Sequence, residues 1–231
     1  MRRHLLLLLA LVACGGDDKK TTDGGSAPKA DASLDAAAAV VPDVTKYCTD
    51  IIAHCTGENA QYPTATAMDQ CLGTAATWPV GHTGDATGNT LGCREYHAGA
   101  LAVSDPATHC IHAGPGGDQM KNAGTCGDPC TSFCTLQIGT CGSIDTPVTG
   151  ITPQYQNIAA CMTACANFDK DHLYVLNKTP ATPSGNSLAC RLYHATNAAL
   201  YRKRNDLPTA SAHCGHAAAT PTGPCSAAAT P

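Results

Sequence analysis

The segment GNTLGCREYHA at 88–98 recurs as GNSLACRLYHA at 185–195, identical at eight of eleven positions. Other landmarks recur in the same order. Tyr47-Cys48-x6-Cys55 reads against Phe133-Cys134-x6-Cys141, Gln61-Tyr62 against Gln154-Tyr155, and Cys71 against Cys161. His109-Cys110-Ile111-His112-Ala113 reads against His213-Cys214-Gly215-His216-Ala217, and Cys126 against Cys225. A chain that repeats itself this way is read as two tandem homologous modules, 43–127 and 128–226, each a complete supersecondary unit. The repeat also separates what both copies keep from what drifts.

What both copies keep is cysteine and histidine. Fifteen cysteines in 231 residues, with 4% aromatics and a hydrophobic fraction rich in Ala, describe a chain with a thin aliphatic core held by bridges. Setting Cys14 aside leaves an even number, six in the first module and eight in the second. The two extras are Cys130, where the first module has Val44, and Cys165, where it has Ala75. Residues absent together at matched positions behave as one bridge, so Cys130–Cys165 is expected. C-x3-C at 130/134 and again at 161/165 puts each thiol pair one turn apart on a helix face. Two antiparallel helices then bond outer to outer and inner to inner, giving Cys134–Cys161 and, by the repeat, Cys48–Cys71. The arrangement resembles helical hairpins with twin C-x3-C motifs, a resemblance of fold over about 40 residues. Four cysteines remain in each module and allow three pairings apiece. The favoured sets are Cys55–Cys93 with Cys110–Cys126, and Cys141–Cys190 with Cys214–Cys225.

The expected fold is mainly α, small and disulfide-rich. Helices are expected near 43–55, 65–77, 89–103, 128–140, 155–168 and 186–204. Asn89/Thr90 and Asn186/Ser187 offer N-cap chemistry, and Pro106 and Pro208 are read as following a helix end. No sustained alternation argues for strands.

The opening residues have a different character. Met1-Arg2-Arg3-His4 is a cationic segment, Leu5 to Val12 a short apolar one, and residues 1–13 read as a signal peptide. Leu11-Val12-Ala13-Cys14 resembles the lipobox of bacterial lipoproteins. That resemblance implies acylation of Cys14, cleavage before it and, with Gly15 following, sorting to the outer membrane. It places the protein in the bacterial cell envelope, with the membrane and an unidentified envelope protein or ligand as partners. Residues 14–42 read as the lipidated Cys and a disordered tether, and 227–231 as a flexible tail.

Several functions are excluded by pattern. With 14 Lys+Arg against 18 Asp+Glu the chain is no basic nucleic-acid binder. No C-x2-C occurs, which removes c-type haem attachment, thioredoxin-like redox motifs and zinc ribbons. H-E-x-x-H, G-x-S-x-G and Walker A patterns are absent. Gly114–Asp118 reads as a surface turn, Trp78 as a core or rim aromatic, and Arg202-Lys203-Arg204 as a solvated helix end.

Six histidines fall at matched positions: His97, His109 and His112, then His194, His213 and His216. His4, His54, His82 and His172 have no counterpart. The first reading of the matched six is structural, within a non-catalytic binding or envelope protein that needs no cofactor. The alternative is metal or haem handling, because three imidazoles with an open position suit Zn or Cu. Cysteines locked in bridges leave imidazole as the ligand. An enzyme is the third reading, and it lacks a carboxylate base at matched positions: Glu95 faces Leu192.

Overall fold

The computed structural model describes residues 40–63, 65–118, 124–170, 174 and 184–226. Cys14, the signal and tether segments to residue 39, His4, His172 and the 227–231 tail lie outside them. Among the described residues the chain is helical, and β structure is confined to two isolated bridges, Gly142 with Pro147 and Asp169 with Ser187.

The first half comprises α1 (Val44–His54), α2 (Ala67–Ala75), α3 (Leu91–Tyr96), α4 (Ala102–Ser104) and α5 (Pro106–Ala113). A π-helical stretch, His97–Leu101, joins α3 to α4 and is broken at Gly99, whose ψ of −135° is not helical. The second half comprises α6 (Pro129–Cys141), α7 (Ile158–Cys165), α8 (Leu188–Lys203) and α9 (Leu207–His216). Most starts follow from capping. The side chains of Asp43, Thr90, Asp105, Asp128, Asn157, Ser187 and Asp206 accept backbone N–H groups of the turn they open.

Two helices correct the sequence reading. Pro106 and Pro208 do not trail a helix; each sits in the first turn of the next one, behind Asp105 and Asp206 as N-caps. Proline is tolerated there because the N–H it lacks has no intrahelical partner. The resulting α5 and α9 re-route the bridges. Cys48–Cys71, Cys134–Cys161 and Cys130–Cys165 tie the hairpins α1/α2 and α6/α7. Cys55, however, bonds Cys110 on α5, and Cys93 bonds Cys126, in place of Cys55–Cys93 and Cys110–Cys126. Likewise Cys141 bonds Cys214 on α9 and Cys190 bonds Cys225, in place of Cys141–Cys190 and Cys214–Cys225. The helix that carries H-C-x-H packs against the end of the first helix of its half, so its cysteine meets Cys55 or Cys141 first.

The core is as thin as the composition implies. Tyr47, Ile51, Trp78 and Leu91 surround the first-half bridges, and Phe133, Leu136, Tyr155, Phe168, Leu188 and Leu192 those of the second. At the centre of each half lies a fully buried arginine. Arg94 donates to Gly114 O, Thr90 O and Asn89 Oδ1 and lies 4.0 Å above the Trp78 ring. Arg191 donates to Ala218 O, Ser187 O and Asn186 Oδ1 and lies 3.7 Å above the Phe168 ring. Trp78 and Phe168 each stand seven residues after the second cysteine of the hairpin, so Trp78 is a core platform with a counterpart. Burial lowers the Arg94 guanidinium to about 10, which leaves it charged at neutral pH.

The halves meet where α8 crosses α2. Gln70 donates to Thr196 Oγ1 at 3.0 Å in the buried seam. Gly73 permits the approach: a Cβ there would stand 2.5 Å from the Ala199 carbonyl oxygen. At the end of α8, Arg202 donates to Thr140 O of α6 within the second half, and Arg204 pairs across the seam with Asp69 at 2.8 Å.

Candidate metal centres

The six matched histidines form two clusters, one per half. Thr90 caps α3 by accepting from Cys93 N, the Cys93–Cys126 bridge pins that turn, and His97 follows four residues on, on the same face. Asp105 caps α5, Cys110 is bonded to Cys55, and His109 and His112 lie three apart on the face turned to His97. The second half repeats the construction with Ser187, Cys190–Cys225 and His194, then Asp206, Cys141–Cys214, His213 and His216.

The distances are those of converging imidazoles. His97 Nδ1 lies 2.8 Å from His109 Nδ1, and the His112 ring centroid is 5.0 Å from that of His97. His194 Nδ1 lies 2.8 Å from His213 Nδ1 and 3.3 Å from His216 Nδ1. Within each triad one nitrogen from every ring falls within 4.8 Å of the others. His97 and His194 are buried, and the other four rings are half-exposed, so each cluster is rooted in the core and open on one side.

The tautomer of His97 follows from its surroundings. Its Nε2 faces the Ala86 carbonyl at 3.1 Å. A carbonyl only accepts, so Nε2 carries the proton and Nδ1 presents its lone pair to the cluster. Without a cation, His109 meets that lone pair by donating from Nδ1. A cation in place of this proton would find both nitrogens aimed at it. An imidazole whose outer N–H is tied to a backbone carbonyl is the usual support for a metal ligand.

Burial disfavours the charged form of His97, His194, His213 and His216. Burial, followed by His213 and His216, lowers His194 to about 3; burial and His216 lower His213 to about 4. Burial lowers His216, and it lowers His97 against the opposing effect of the Ala86 carbonyl, with His112 and His109 adding to the fall. A neutral imidazole is the form that binds metal. Sulfur is not on offer, since Cys93, Cys126, Cys190 and Cys225 beside the triads are all in bridges. His54 bonds the Ala98 carbonyl and His82 is exposed near Asp85, so neither joins a cluster.

One residue of the first cluster escapes the sequence reading. Asp118, in the stretch read as a surface turn, is buried, and its Oδ2 lies 3.9 Å from His112 Nε2. The signal for it was its place six residues after His112, where the second half has Thr222 six after His216.

Fold and clusters together define a disulfide-stapled helical protein with paired histidine triads. A family model described as the BfoA family C-terminal domain matches residues 26–131, which take in the first triad and Asp118 and stop short of the second triad. Bifonsecin B biosynthesis cluster protein A of Aspergillus brasiliensis is 44% identical over 75 residues, 32% of this chain and 24% of that protein. Aurasperone B biosynthesis cluster protein A of Aspergillus niger is 40% identical over 95 residues, 41% of this chain and 28% of that protein. The chain thus spans about a quarter of the length of these curated relatives. No solved structure matches.

These findings correct the bacterial lipoprotein reading. The relatives are fungal, so acylation of Cys14, membrane anchoring and an outer-membrane location are not supported. Among the described residues no helix is long and apolar enough to cross a membrane.

Proposed function

We propose that this chain is a non-catalytic metal-binding protein, in which disulfide-held helices present two three-histidine sites for copper or zinc. The observation that carries the reading is the same close approach in both halves, Nδ1 to Nδ1 at 2.8 Å. The neutral state of the buried rings and the carbonyl-anchored tautomer of His97 support it. His97, His109 and His112 would hold one ion, and His194, His213 and His216 the other. The repetition favours an origin of 43–127 and 128–226 by duplication, with the site as part of the unit copied. The relatives are named for biosynthesis clusters, and a metal-holding role beside the enzymes of such a cluster is the setting we infer. No group near either triad is assigned as a catalytic base.

Titration calorimetry with Zn²⁺ and Cu²⁺ at neutral pH tests the reading on the oxidised protein. Two ions per chain are expected, with a rise in melting temperature when metal is bound. Binding no tighter than about 100 µM, near 5.5 kcal/mol, would leave the triads as hydrogen-bonded structural clusters.

A further inference from the structure

The two triads are matched in their histidines and unmatched in what stands behind them. Behind the first is Asp118. Its side chain is 2% exposed, its backbone N–H donates to Gly127 O at 3.0 Å, and its Oδ2 accepts from Thr125 Oγ1 at 3.3 Å. The carboxylate is thereby held 3.9 Å from His112 Nε2. Behind the second triad the corresponding residue is Thr222, whose N–H donates to Gly215 O. Among the described residues no carboxylate joins that cluster, and the His213 ring is stacked on Tyr201 with centroids 5.4 Å apart.

Charge balance gives this difference a consequence. Three neutral imidazoles bring no negative charge to a bound ion, and a cation drawn from water into a partly buried site needs compensation. The demand is larger for a double charge than for a single one. Asp118 supplies it in the first triad, and among the described residues nothing equivalent faces the second. A buried carboxylate 3.9 Å from a ligand imidazole also places a negative charge beside the ion it would hold, which lowers the cost of a second positive charge there. A neutral set of three nitrogens with no carboxylate beside it places less demand for compensation on an ion of single charge, and imidazole accepts copper.

We propose that the two triads are built for different cations: His97, His109 and His112 backed by Asp118 for a divalent ion such as Zn²⁺ or Cu²⁺, and His194, His213 and His216 for a monovalent one of the Cu(I) class. The inference rests on the metal reading above and assigns Asp118 as a positioning and charge-balancing residue rather than a ligand.

The test is calorimetry on the full oxidised chain in chloride-free buffer, using Zn²⁺ and Ag⁺. Silver stands in for Cu(I) because it needs no reductant, which would attack the bridges. His194→Ala isolates the first triad and His97→Ala the second. Zn²⁺ should bind the first at least about tenfold more tightly than the second, and Ag⁺ should reverse the order. Asp118→Asn should weaken Zn²⁺ at the first triad by about 10–100-fold and leave Ag⁺ at the second unchanged. Thr222→Asp, on the other half, should raise Zn²⁺ affinity at the second triad and so does not depend on how Asp118→Asn folds. Equal Zn²⁺ affinities at the two triads, or an Asp118→Asn protein that binds Zn²⁺ like the parent, would overturn the proposal. Absence of both Zn²⁺ and Ag⁺ binding at either triad would overturn the metal reading itself.

Discussion

The helix that delivers the first histidine is built differently in the two halves. In the first, α3 loosens into a π-helical stretch at His97 and breaks at Gly99; in the second, α8 runs unbroken for 16 residues. Thr196 stands where the first half has Gly99, and it accepts from Gln70 of α2. The unbroken helix is therefore the one that crosses to the other half, and its length serves the seam. Both versions still deliver His97 or His194 to a partner Nδ1 at 2.8 Å. The histidine geometry thus survives a change in the helix that carries it, because the bridge at Cys93 or Cys190 and the buried arginine beside it fix the first turns of that helix, ahead of the point where the two versions diverge.

If that is right, removing an arginine should do the greatest damage. Arg94→Met removes the guanidinium donor from two carbonyls and an asparagine oxygen, and Arg191→Met from three carbonyls and an asparagine oxygen, a loss of roughly 3–5 kcal/mol each. Arg94→Met should be the worse, because Arg94 also reaches Ser132 across the seam at 3.3 Å. Thermal unfolding of the oxidised proteins measures this. Unchanged melting temperatures would show that the bridges alone position the triads.

A smaller effect is expected from making the halves more alike. Replacing Cys130 by Val and Cys165 by Ala together gives the second hairpin the residues of the first. It should cost about 2–4 kcal/mol and leave a folded protein, since Cys134–Cys161 remains. Cys130→Ser alone should do worse, leaving Cys165 free to mispair. Non-reducing peptide mapping reads both results, and a double variant that fails to fold would mean the halves are less alike than their bridges suggest.

These comparisons show where the sequence could be read and where it could not. The hairpins were legible because C-x3-C is a helical spacing, and cysteines missing as a pair identify a bridge without knowledge of the fold. The other bridges were not legible, because they depend on α5 and α9. Pro106 and Pro208 carry opposite meanings after a helix and in its first turn, and only the capping role of Asp105 and Asp206 decides between them. The grouping of His97, His109 and His112 could be read from their retention beside cysteines. Which nitrogen faces which could not, since it depends on the Ala86 carbonyl, in a loop with no motif of its own. Asp118 was hidden for a related reason. Its backbone N–H and carboxylate are held by Gly127 and Thr125, outside the local Gly-Pro-Gly-Gly run that reads as an exposed turn.

If each triad holds one ion, counting ions on the intact oxidised chain shows it. Native mass spectrometry after loading with Zn²⁺ and Ag⁺ together in chloride-free buffer and removal of excess should give two ions on the parent protein. One should remain on His97→Ala and one on His194→Ala, and none on the double variant. A parent chain that retains no ion, or single variants that retain as many as the parent, would contradict the account.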